Sequence, residues 1–359
     1  MKKRVLIGMS GGIDSSVAAY LLLQSGYEVA GITLRLWGDS GEEEKDWKSR
    51  SCCKIGIARY VAERLGIKHS VIDISDQFRE HIIGQFLAEY TSGRTPNPCV
   101  RCNERIKFGL LLDLAREKGF DLLATGHYAR IENKDNSQYL LKKGVDETKD
   151  QGYFLYRLRQ DQLKDILFPL GGITKKEVFK IAEECLGIPI EEVRESQEIC
   201  FVTQKDYRDF VMGEIPQAAI PGDFVSVGGD YLGRHRGIAF YTVGQRRGLG
   251  IPAQKRLYVV RIEKENDRVV LGDEKDLCVS QFVIKDINLI GADNIDEIGE
   301  RKGLKIKIRY RSDEISAGIL PADDNRALVI LSEGQRGVAP GQSAVIYDGE
   351  YIIGGGVIE

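Results

Sequence analysis

The residues of this chain best suited to chemistry are two cysteines that lie three positions apart. Cys99 and Cys102 occur in the stretch NPCVRCNERIKF, which covers residues 97–108. Thiolates at this spacing can bind a metal, form a redox couple or take part in sulfur transfer. A structural zinc site normally needs a second pair at matching spacing, whereas Cys52 and Cys53 are adjacent. A structural zinc site is therefore disfavoured. Three interpretations of Cys99 and Cys102 stay open: inert thiols, a redox couple, or residues that handle sulfur.

The environment predicted for Cys102 favours a reactive thiol. The sequence predicts a helix over 104–118, with Asn103 as its N-cap. This position would place Cys102 near the positive end of the helix, beside Arg101 and Arg105, where the pKa of a thiol falls. We therefore expect Cys102 to be enriched in thiolate.

A second stretch with chemical meaning is GMSGGIDSS, residues 8–16, at the junction of a predicted first strand and first helix. Glycines let the backbone approach a ligand closely, and free amides at a helix N-terminus favour phosphate. The stretch matches neither the Walker loop nor GxGxxG. SGGxDS is instead the signature of the pyrophosphatase-type ATP loop, in which Asp14 acts through Mg²⁺ and the serines bind phosphate oxygens. A tight turn with serine caps is the simpler alternative.

An ATP loop of this type cleaves ATP to AMP and pyrophosphate, and this reaction has a chemical purpose. A carbonyl oxygen is a poor leaving group, while an adenylated oxygen departs as AMP. The loop therefore predicts activation of an oxygen for replacement by a nucleophile. Cys200, in SQEICFVTQ, is a third candidate thiol, although by itself it is equally consistent with a core residue.

Composition and charge limit the class of protein. The chain has 359 residues, enough for two or three domains, and 42% of them are hydrophobic. The start MKKRVLIGM is too short for a signal peptide, and no run approaches the roughly 18 apolar residues of a membrane span. A soluble cytoplasmic protein is predicted. The net charge of −3 argues against indiscriminate nucleic-acid binding, and seven cysteines in a cytosolic chain favour catalysis or metal binding over structural disulfides.

Strand and helix patterns alternate over the first 130 residues. They predict βαβ units, and hence a mostly parallel sheet in an α/β N-terminal domain. A charged segment at 41–50 is predicted to be a mobile surface loop, and Thr174 is predicted to cap a further helix. The predicted strands are 4–9, 27–36, 68–75 and 121–127, and the predicted helices are 15–26, 54–66, 76–91, 104–118 and 174–186.

After about residue 205 the pattern changes to short Val/Ile/Tyr-rich runs separated by turn residues. FVSVGGDYLG and LYVVRIEKENDRVVLG are typical of β-hairpins. The predicted domains are an ATP-binding catalytic domain at 1–205, a small central β-rich domain at 206–280 and a C-terminal β-barrel-like domain at 281–359.

Seven stretches occur in a fixed order: GMSGGIDSS, RTPNPCVRCNERIKF, ATGHY, KDQGYFLY, SQEICF, TVGQRRGLGI and PGQSAVIY. Through them the whole chain resembles the bacterial tRNA-specific 2-thiouridylases, which are sulfurtransferases. The resemblance implies a PP-loop ATP pyrophosphatase domain of the adenine nucleotide alpha hydrolase type. It also implies ATP-dependent adenylation of the 2-oxygen of the wobble uridine in tRNAs for Lys, Glu and Gln, followed by replacement of that oxygen with sulfur. The implied partners are these tRNAs, at the anticodon stem-loop, and a sulfur donor, but no DNA.

The resemblance also assigns roles to residues. Cys200 matches the position that receives sulfur as a persulfide, and Cys102 matches the nucleophile that assists release or closes a transient disulfide with Cys200. Asp14 belongs to the catalytic set. The implied ATP-binding residues are Gly8, Met9, Ser10, Gly11, Gly12, Ile13, Asp14, Ser15, Leu34 and Gly126. The implied tRNA-binding residues are Asn97, Pro98, Cys99, His127, Lys149, Asp150, Gln151, Arg309, Tyr310 and Gln342, the last three in the C-terminal domain.

One position departs from the family pattern. Most members have Asn-Pro-Asp where this chain has Asn-Pro-Cys99, so an acid–base role for that carboxylate is lost. Cys99, Cys102 and Cys200 instead make a set of three thiols, enough to hold a [4Fe–4S] cluster with one iron open to sulfide. The cluster and the persulfide–disulfide scheme are competing hypotheses.

Several basic stretches suit RNA. In KIKIRYR, residues 305–311, four cations alternate with apolar residues, which on a strand gives one basic face; a charged edge strand is the alternative. The Arg-Gly stretches at 233–237 and 244–250 are predicted to be loops that follow a phosphate backbone, or flexible hairpin tips. YFLY at 153–156 suits either base stacking or the core.

Two rival functions account for parts of the chain. A small-molecule adenylating ligase or amidotransferase would use the ATP loop but not the three cysteines or the basic C-terminal region. A non-enzymatic iron–sulfur or RNA-binding module would use the cysteines but not the ATP loop.

Overall fold

The computed structural model describes residues 2–36, 54–134, 138–192, 199–202, 206–322 and 325–359. The predicted surface loop at 41–50, like Cys52 and Cys53, lies outside these ranges. The chain folds into two compact units. The first comprises Met1–Ile82, Cys99–Thr203 and Glu350–Ile352, and the second comprises Ile83–Pro98, Gln204–Gly349 and Ile353–Glu359.

A parallel sheet forms the centre of the first unit. The strands up to residue 167 are β1 (Arg4–Gly8), β2 (Glu28–Arg35), β3 (Lys68–Asp73), β4 (Leu122–Ala124), β5 (Ala129–Asn133), β6 (Tyr139–Lys143) and β7 (Ile166–Leu167). The sheet order is β3-β2-β1-β4-β7, and every pairing in it is parallel. β5 and β6 form an antiparallel hairpin outside this parallel sheet, and β6 also pairs with residues 351 and 352 of the same unit. The predicted parallel α/β domain is confirmed.

Helices of the first unit pack on this sheet because their apolar faces match its buried strands. Val5 and Ile7 of β1 share a core with Val17 and with residues of two later helices, among them Val61 and Val178. Such burial is the dominant favourable contribution to folding. The helices up to residue 186 are α1 (Ile13–Gln24), α2 (Ile55–Leu65), α3 (Ser75–Phe78), α4 (Gly84–Thr91), α5 (Pro98–Arg101), α6 (Leu111–Glu117), α7 (Gln160–Leu163) and α8 (Lys175–Leu186). Of these, α4 belongs to the second unit.

Helix α8 begins as the sequence predicts. Thr174 is the N-cap, its side chain accepts from the Glu177 amide at 3.3 Å, and the Glu177 carboxylate accepts from the Thr174 amide at 2.7 Å. This reciprocal arrangement is a capping box, which satisfies two backbone donors at the helix end. Gly187, with φ of +58°, ends the helix in the left-handed conformation that favours glycine.

The second unit contains a small mixed sheet. Its elements are α9 (Tyr207–Glu214), β8 (Gly222–Ser226), β9 (Tyr231–His235), β10 (Tyr258–Glu263) and β11 (Arg268–Gly272). β8 with β9, and β10 with β11, are the two predicted hairpins, and β11 pairs with β8 in parallel. The basic stretch at 233–237 is not a loop throughout, because its first three residues belong to β9.

A closed barrel follows. Its elements are β12 (Cys278–Leu289), α10 (Ile295–Glu300), β13 (Lys305–Lys307), β14 (Ile315–Pro321), β15 (Ala327–Arg336), β16 (Ser343–Asp348) and β17 (Tyr351–Ile358). The strand order is β12-β15-β14-β13-β16-β17, and pairing of β12 with β17 closes the ring. The predicted C-terminal β-barrel is confirmed.

The basic strand at 305–311 is interior rather than at an edge. β13 pairs with both β14 and β16, so the edge-strand alternative is wrong. Ile306 and Ile308 are buried in the barrel core, while Lys305 and Arg309 are exposed. The predicted alternation is therefore present, although the strand itself ends at Lys307.

Among the described residues, no helix has the length and apolar character needed to cross a membrane.

Thr174→Ala should destabilise the first unit. The substitution removes the side-chain acceptor of the capping box and leaves helix donors unpaired, at a cost of about 1 kcal/mol. The measurement is the midpoint of urea unfolding followed by circular dichroism. Lys176→Ala, at an exposed position of the same helix, is the control and should leave the midpoint unchanged; equal midpoints for both variants would contradict a stabilising cap.

Candidate active site

The phosphate loop between β1 and α1 is held in shape by serine side chains. Ser15 Oγ donates to the Gly12 carbonyl at 3.0 Å and accepts from the Ser10 amide at 3.3 Å, and Ser16 Oγ donates to the same Gly12 carbonyl at 2.9 Å. Gly12, the N-cap of α1, has no side chain that could accept from the first-turn amides, and its own amide donates to Ser10 Oγ at 3.3 Å. The first-turn amides and the positive end of the helix dipole thus make this end of α1 suited to bind an anion.

Two glycines allow other backbone segments to approach this loop. Gly11 has φ of +76°, and a Cβ there would lie 2.3 Å from the Lys54 carbonyl oxygen. A Cβ on Gly126 would lie 2.8 Å from the Asp14 carbonyl carbon and 2.9 Å from the Ser15 amide nitrogen. Only glycine fits such distances. The backbone after β4 therefore packs directly on the first turn of α1.

The carboxylate of Asp14 is held by two side chains from distant parts of the sequence. Its Oδ1 accepts from Tyr128 Oη and from Lys175 Nζ, each at 2.7 Å. The side chain of Asp14 is 38% exposed, whereas that of Lys175 is 9% exposed. Mg²⁺ is commonly held by one or two carboxylates together with substrate phosphates. An accessible carboxylate beside a phosphate loop fits that mode of binding.

The other residues predicted to bind ATP would do so mainly through their backbone atoms. Gly8 ends β1, and Met9 and Ile13 are 2% and 4% exposed. The Met9 carbonyl accepts from Thr33 Oγ1 at 2.6 Å, which ties the loop to β2. Leu34, near the end of β2, is half-buried.

The helix that carries Cys102 begins earlier than the sequence suggests. It runs without a break from Pro98 through α5, a π-helical stretch at Cys102–Leu110 and then α6. Asn103 is therefore not an N-cap; it is 4% exposed, and its Nδ2 donates to the Phe154 carbonyl at 3.0 Å. The predicted placement of Cys102 just outside a helix end is wrong, because Pro98 occupies the first helical position, where its missing N–H costs nothing.

Charged groups anchor this cysteine-bearing helix. Glu104 forms ion pairs with Arg101 at 2.9 Å and with Arg157 at 3.0 Å. Burial opposes ionisation of Glu104, but the two guanidinium groups hold its pKa below the usual range. Arg157 lies outside the helix, so its ion pair with Glu104 ties the helix to the segment after the YFLY stretch.

Cys99 and Cys200 both lie in the first unit, and they affect one another electrostatically. Surrounding protein and the nearby Cys200 thiol raise the pKa of Cys99 to about 11, and Lys107 opposes the shift. Cys99 is thus a neutral thiol near pH 7, although its side chain keeps contact with solvent. The segment with Cys200 is anchored by Phe201, whose ring packs edge-on against Phe78 at a centroid distance of 5.8 Å.

The three cysteines do not form a ready metal site. Cys99 and Cys102 are three residues apart on one helix and so share a face, but Cys102 is buried. Among the described residues, which include Cys99, Cys102 and Cys200, no group of three His, Cys, Asp or Glu side chains is arranged to hold a metal ion. A [4Fe–4S] cluster on Cys99, Cys102 and Cys200 therefore stays a proposal.

His127 is a buried neutral imidazole. Its Nδ1 lies 2.7 Å from Thr125 Oγ1 and its Nε2 lies 3.5 Å from Lys107 Nζ. Burial and the Lys107 charge hold the pKa of His127 well below its usual value. Because an ammonium only donates, Nε2 accepts and the proton lies on Nδ1, toward Thr125. The ring also contacts Phe108 and Phe168 at centroid distances of 5.7 and 5.8 Å.

The 149–151 stretch supports the turn that carries His127. Asp150 is 7% exposed, and its Oδ1 accepts from the Gly144 and Gly152 amides at 2.9 and 3.2 Å. Gln151 Oε1 accepts from the Tyr128 amide at 3.1 Å. Lys149 is half-buried. A contact of these side chains with tRNA stays a prediction.

The two tyrosines of the YFLY stretch belong to the protein core, which is one of the two predicted alternatives. Tyr153 is 1% exposed and Tyr156 is fully buried. Neither ring presents a face on which a base stacks.

In the second unit, Gln342 holds the segment that leads to the cysteines. Its Nε2 donates to the carbonyls of Thr95 and Pro96, each at 3.0 Å. The Thr95 amide in turn donates to the Pro340 carbonyl at 2.8 Å. Asn97, next along the segment, is half-buried.

Arg309 and Tyr310 follow β13 in the same unit. Arg309 is exposed and donates to the Arg336 carbonyl at 3.3 Å, while Tyr310 is half-buried. The exposed guanidinium is suited to a phosphate.

Sequence reasoning missed Lys175, Tyr128 and Lys107 as site residues. Lys175 and Asp14 are 161 positions apart, so no local pattern joins them. One signal was present: a lysine immediately after a capping threonine lies at the positive end of a helix, where a cation is unfavourable without a partner.

A parallel sheet whose first strand turns through SGGIDSS into a helix defines an ATP-dependent PP-loop domain. The family models agree along the chain: tRNA methyl transferase HUP domain at residues 3–204, tRNA methyl transferase PRC-barrel domain at 208–273 and aminomethyltransferase beta-barrel domain at 279–358.

Whole-length relatives identify the family further. The chain is 47% identical to tRNA-specific 2-thiouridylase MnmA 1 of Caldanaerobacter subterraneus subsp. tengcongensis, covering 100% of this chain and 98% of that protein. It is also 47% identical to tRNA-specific 2-thiouridylase MnmA of Acetivibrio thermocellus, covering 100% and 99%. The chain belongs to the tRNA-specific 2-thiouridylase family, as the resemblance predicts.

Gly126→Ala should weaken ATP binding. The new Cβ would overlap the Asp14 and Ser15 backbone and displace the first turn of α1, so the affinity for MgATP should fall at least about tenfold. Isothermal titration calorimetry with MgATP measures this. Gly172→Ala is the control, because its Cβ would meet no atom within 4 Å; unchanged affinity in both variants would show that the close approach is not required.

Proposed function

We propose that the protein catalyses ATP-dependent 2-thiolation of the wobble uridine in tRNAs for Lys, Glu and Gln. The observation that carries this proposal is the presence, in one compact unit, of a phosphate loop and of the three thiols Cys99, Cys102 and Cys200. The full-length similarity to named 2-thiouridylases supports the same activity. A small-molecule adenylating ligase would use the loop alone and leave the thiols without a role.

The first step is activation of the uridine 2-oxygen. This oxygen forms a bond to the α-phosphorus of ATP, and the bond from that phosphorus to pyrophosphate breaks. The first-turn amides of α1 and the Ser10 and Ser15 hydroxyls bind phosphate oxygens, and Asp14 would hold Mg²⁺, which neutralises phosphate charge when bound. Charge stabilisation of this type is the main contribution that a protein makes to phosphoryl chemistry.

The second step is sulfur transfer. The terminal sulfur of a Cys200 persulfide attacks the activated C2, and AMP departs with the original oxygen. The Cys102 thiolate then attacks Cys200 Sγ, which breaks the S–S bond, leaves sulfur on C2 and forms a Cys102–Cys200 disulfide. A thiol reductant restores both cysteines. Cys99, a neutral thiol beside Cys200, replaces the carboxylate found in most members and does not act as a base.

We place tRNA contacts at three groups of side chains. In the first unit they are His127 and the 149–151 stretch, which are connected by the hydrogen bond from the Tyr128 amide to Gln151 Oε1. In the second unit they are Asn97 and Pro98, which precede the cysteine helix, and the barrel residues Arg309, Tyr310 and Gln342. The exposed Arg309 suits the phosphate backbone, and the contacts of Asp150 and Gln342 with their own backbone neighbours favour a supporting role.

We also propose a three-domain division at 1–205, 206–280 and 281–359. The ranges of the three family models support it. In the persulfide scheme the sulfur donor is a desulfurase relay, which passes sulfur to Cys200 already at the persulfide level. Free sulfide would be the donor only in the cluster scheme, where an open iron would bind it.

Cys200→Ser should abolish 2-thiouridine formation and leave tRNA binding unchanged, because the serine hydroxyl cannot form a persulfide. Mass spectrometry of tRNA nucleosides after incubation with ATP, Mg²⁺, a cysteine desulfurase and cysteine measures the product, and filter binding measures tRNA affinity. Cys278→Ser, which changes an exposed cysteine of the second unit, is the matched control and should retain full activity. Thiolation at the normal rate by Cys200→Ser would remove the persulfide scheme.

The [4Fe–4S] cluster on Cys99, Cys102 and Cys200 is the competing proposal, and metal analysis separates the two. We expect protein purified without oxygen to contain neither iron nor acid-labile sulfide and to retain full thiolation activity. About four iron atoms per chain, lost together with activity in Cys99→Ser, would instead establish the cluster.

A further inference from the structure

Lys175 is a buried cation next to the phosphate loop. It is the first residue of α8, after the N-cap Thr174, and it is 7% exposed. Its Nζ lies 2.7 Å from Asp14 Oδ1. The ammonium also lies 4.8 Å from the centre of the Phe179 ring and 5.8 Å from that of Tyr128. The side chain therefore has a defined direction, from α8 toward the first turn of α1.

Stability alone does not explain a lysine at this position. A cation in the first turn of a helix faces the positive end of the dipole, and burial of an ammonium carries a large desolvation cost. An apolar side chain of similar length would avoid both costs, and the partly exposed Asp14 carboxylate would keep the hydrogen bond from Tyr128 Oη. A residue held against such costs beside an anion site is a candidate for function.

The charge of the substrate gives this lysine a use. ATP brings several negative charges to a loop whose own ionised side chain, Asp14, is also negative. When the bond between the α-phosphorus and pyrophosphate breaks, further negative charge develops on the departing pyrophosphate. A preformed cation at that point stabilises the transition state more than the ground state.

We propose that Lys175 is a catalytic residue that binds the pyrophosphate part of ATP. Before ATP binds, Asp14 holds the ammonium in place. When MgATP enters, Lys175 Nζ exchanges Asp14 Oδ1 for a phosphate oxygen, and Asp14 becomes free to bind the metal. Tyr128 Oη keeps the carboxylate oriented through the exchange. This role rests on the proposed cleavage of ATP at the loop.

The test compares three ligands on purified protein in the absence of tRNA: MgATP, AMP and inorganic pyrophosphate with Mg²⁺. In Lys175→Met, calorimetry should show affinities for MgATP and pyrophosphate reduced at least about tenfold, with AMP affinity unchanged. Lys175→Arg should recover part of the loss. The control Lys176→Met changes the exposed neighbour on the same helix and should bind all three ligands normally. Equal losses for AMP and MgATP, or no loss, would overturn the proposal.

A second variant tests the exchange without removing the lysine. In Asp14→Asn the ammonium is no longer tied by a carboxylate, so affinity for metal-free pyrophosphate should rise several-fold. A fall or no change would contradict the exchange even if Lys175→Met does not fold. If the unmodified protein binds MgATP with these properties yet forms no 2-thiouridine, the proposed function fails and the role of Lys175 stands.

Discussion

The structure of the site depends on the absence of a side chain at Gly126. The backbone there approaches the first turn of α1 so closely that a single Cβ would meet the main chain of Asp14. The same turn then supplies Tyr128 to the Asp14 carboxylate and His127 to Lys107. One short segment after β4 thus joins the nucleotide loop to the helix that carries the thiols, within a single compact unit.

The thiols differ from one another because their surroundings differ. Cys102 is buried in a helix fixed by the Glu104 ion pairs, while Cys99 keeps solvent contact and stays protonated beside Cys200. A carboxylate at residue 99 would add a negative charge next to Cys200 and make its thiolate less favourable. The neutral Cys99 avoids that repulsion.

Local patterns in the sequence predict much of the fold. The Thr174 cap, the parallel strands and the two hairpins follow from signals within a few residues. The start of the cysteine helix does not, because Asn103 has the chemistry of an N-cap but uses its amide to bind Phe154, 51 positions away. The Lys175–Asp14 pair and the interior place of β13 are likewise set by tertiary packing. Periodicity alone carries no information about such contacts.

The hydrogen bonds that the Gln342 side chain already makes limit how it could contact RNA. A glutamine amide carries two N–H groups, and both point to the Thr95 and Pro96 carbonyls. A nucleotide that accepted a hydrogen bond from Gln342 would have to replace the Thr95 or Pro96 carbonyl as the acceptor. The segment before Cys99 would then lose a hydrogen bond that holds it in place. Acceptance through Oε1 avoids this competition. The tRNA contact proposed for Gln342 would therefore use Oε1 as an acceptor, which would suit a donor on a base or a ribose hydroxyl and disfavour a bare phosphate oxygen.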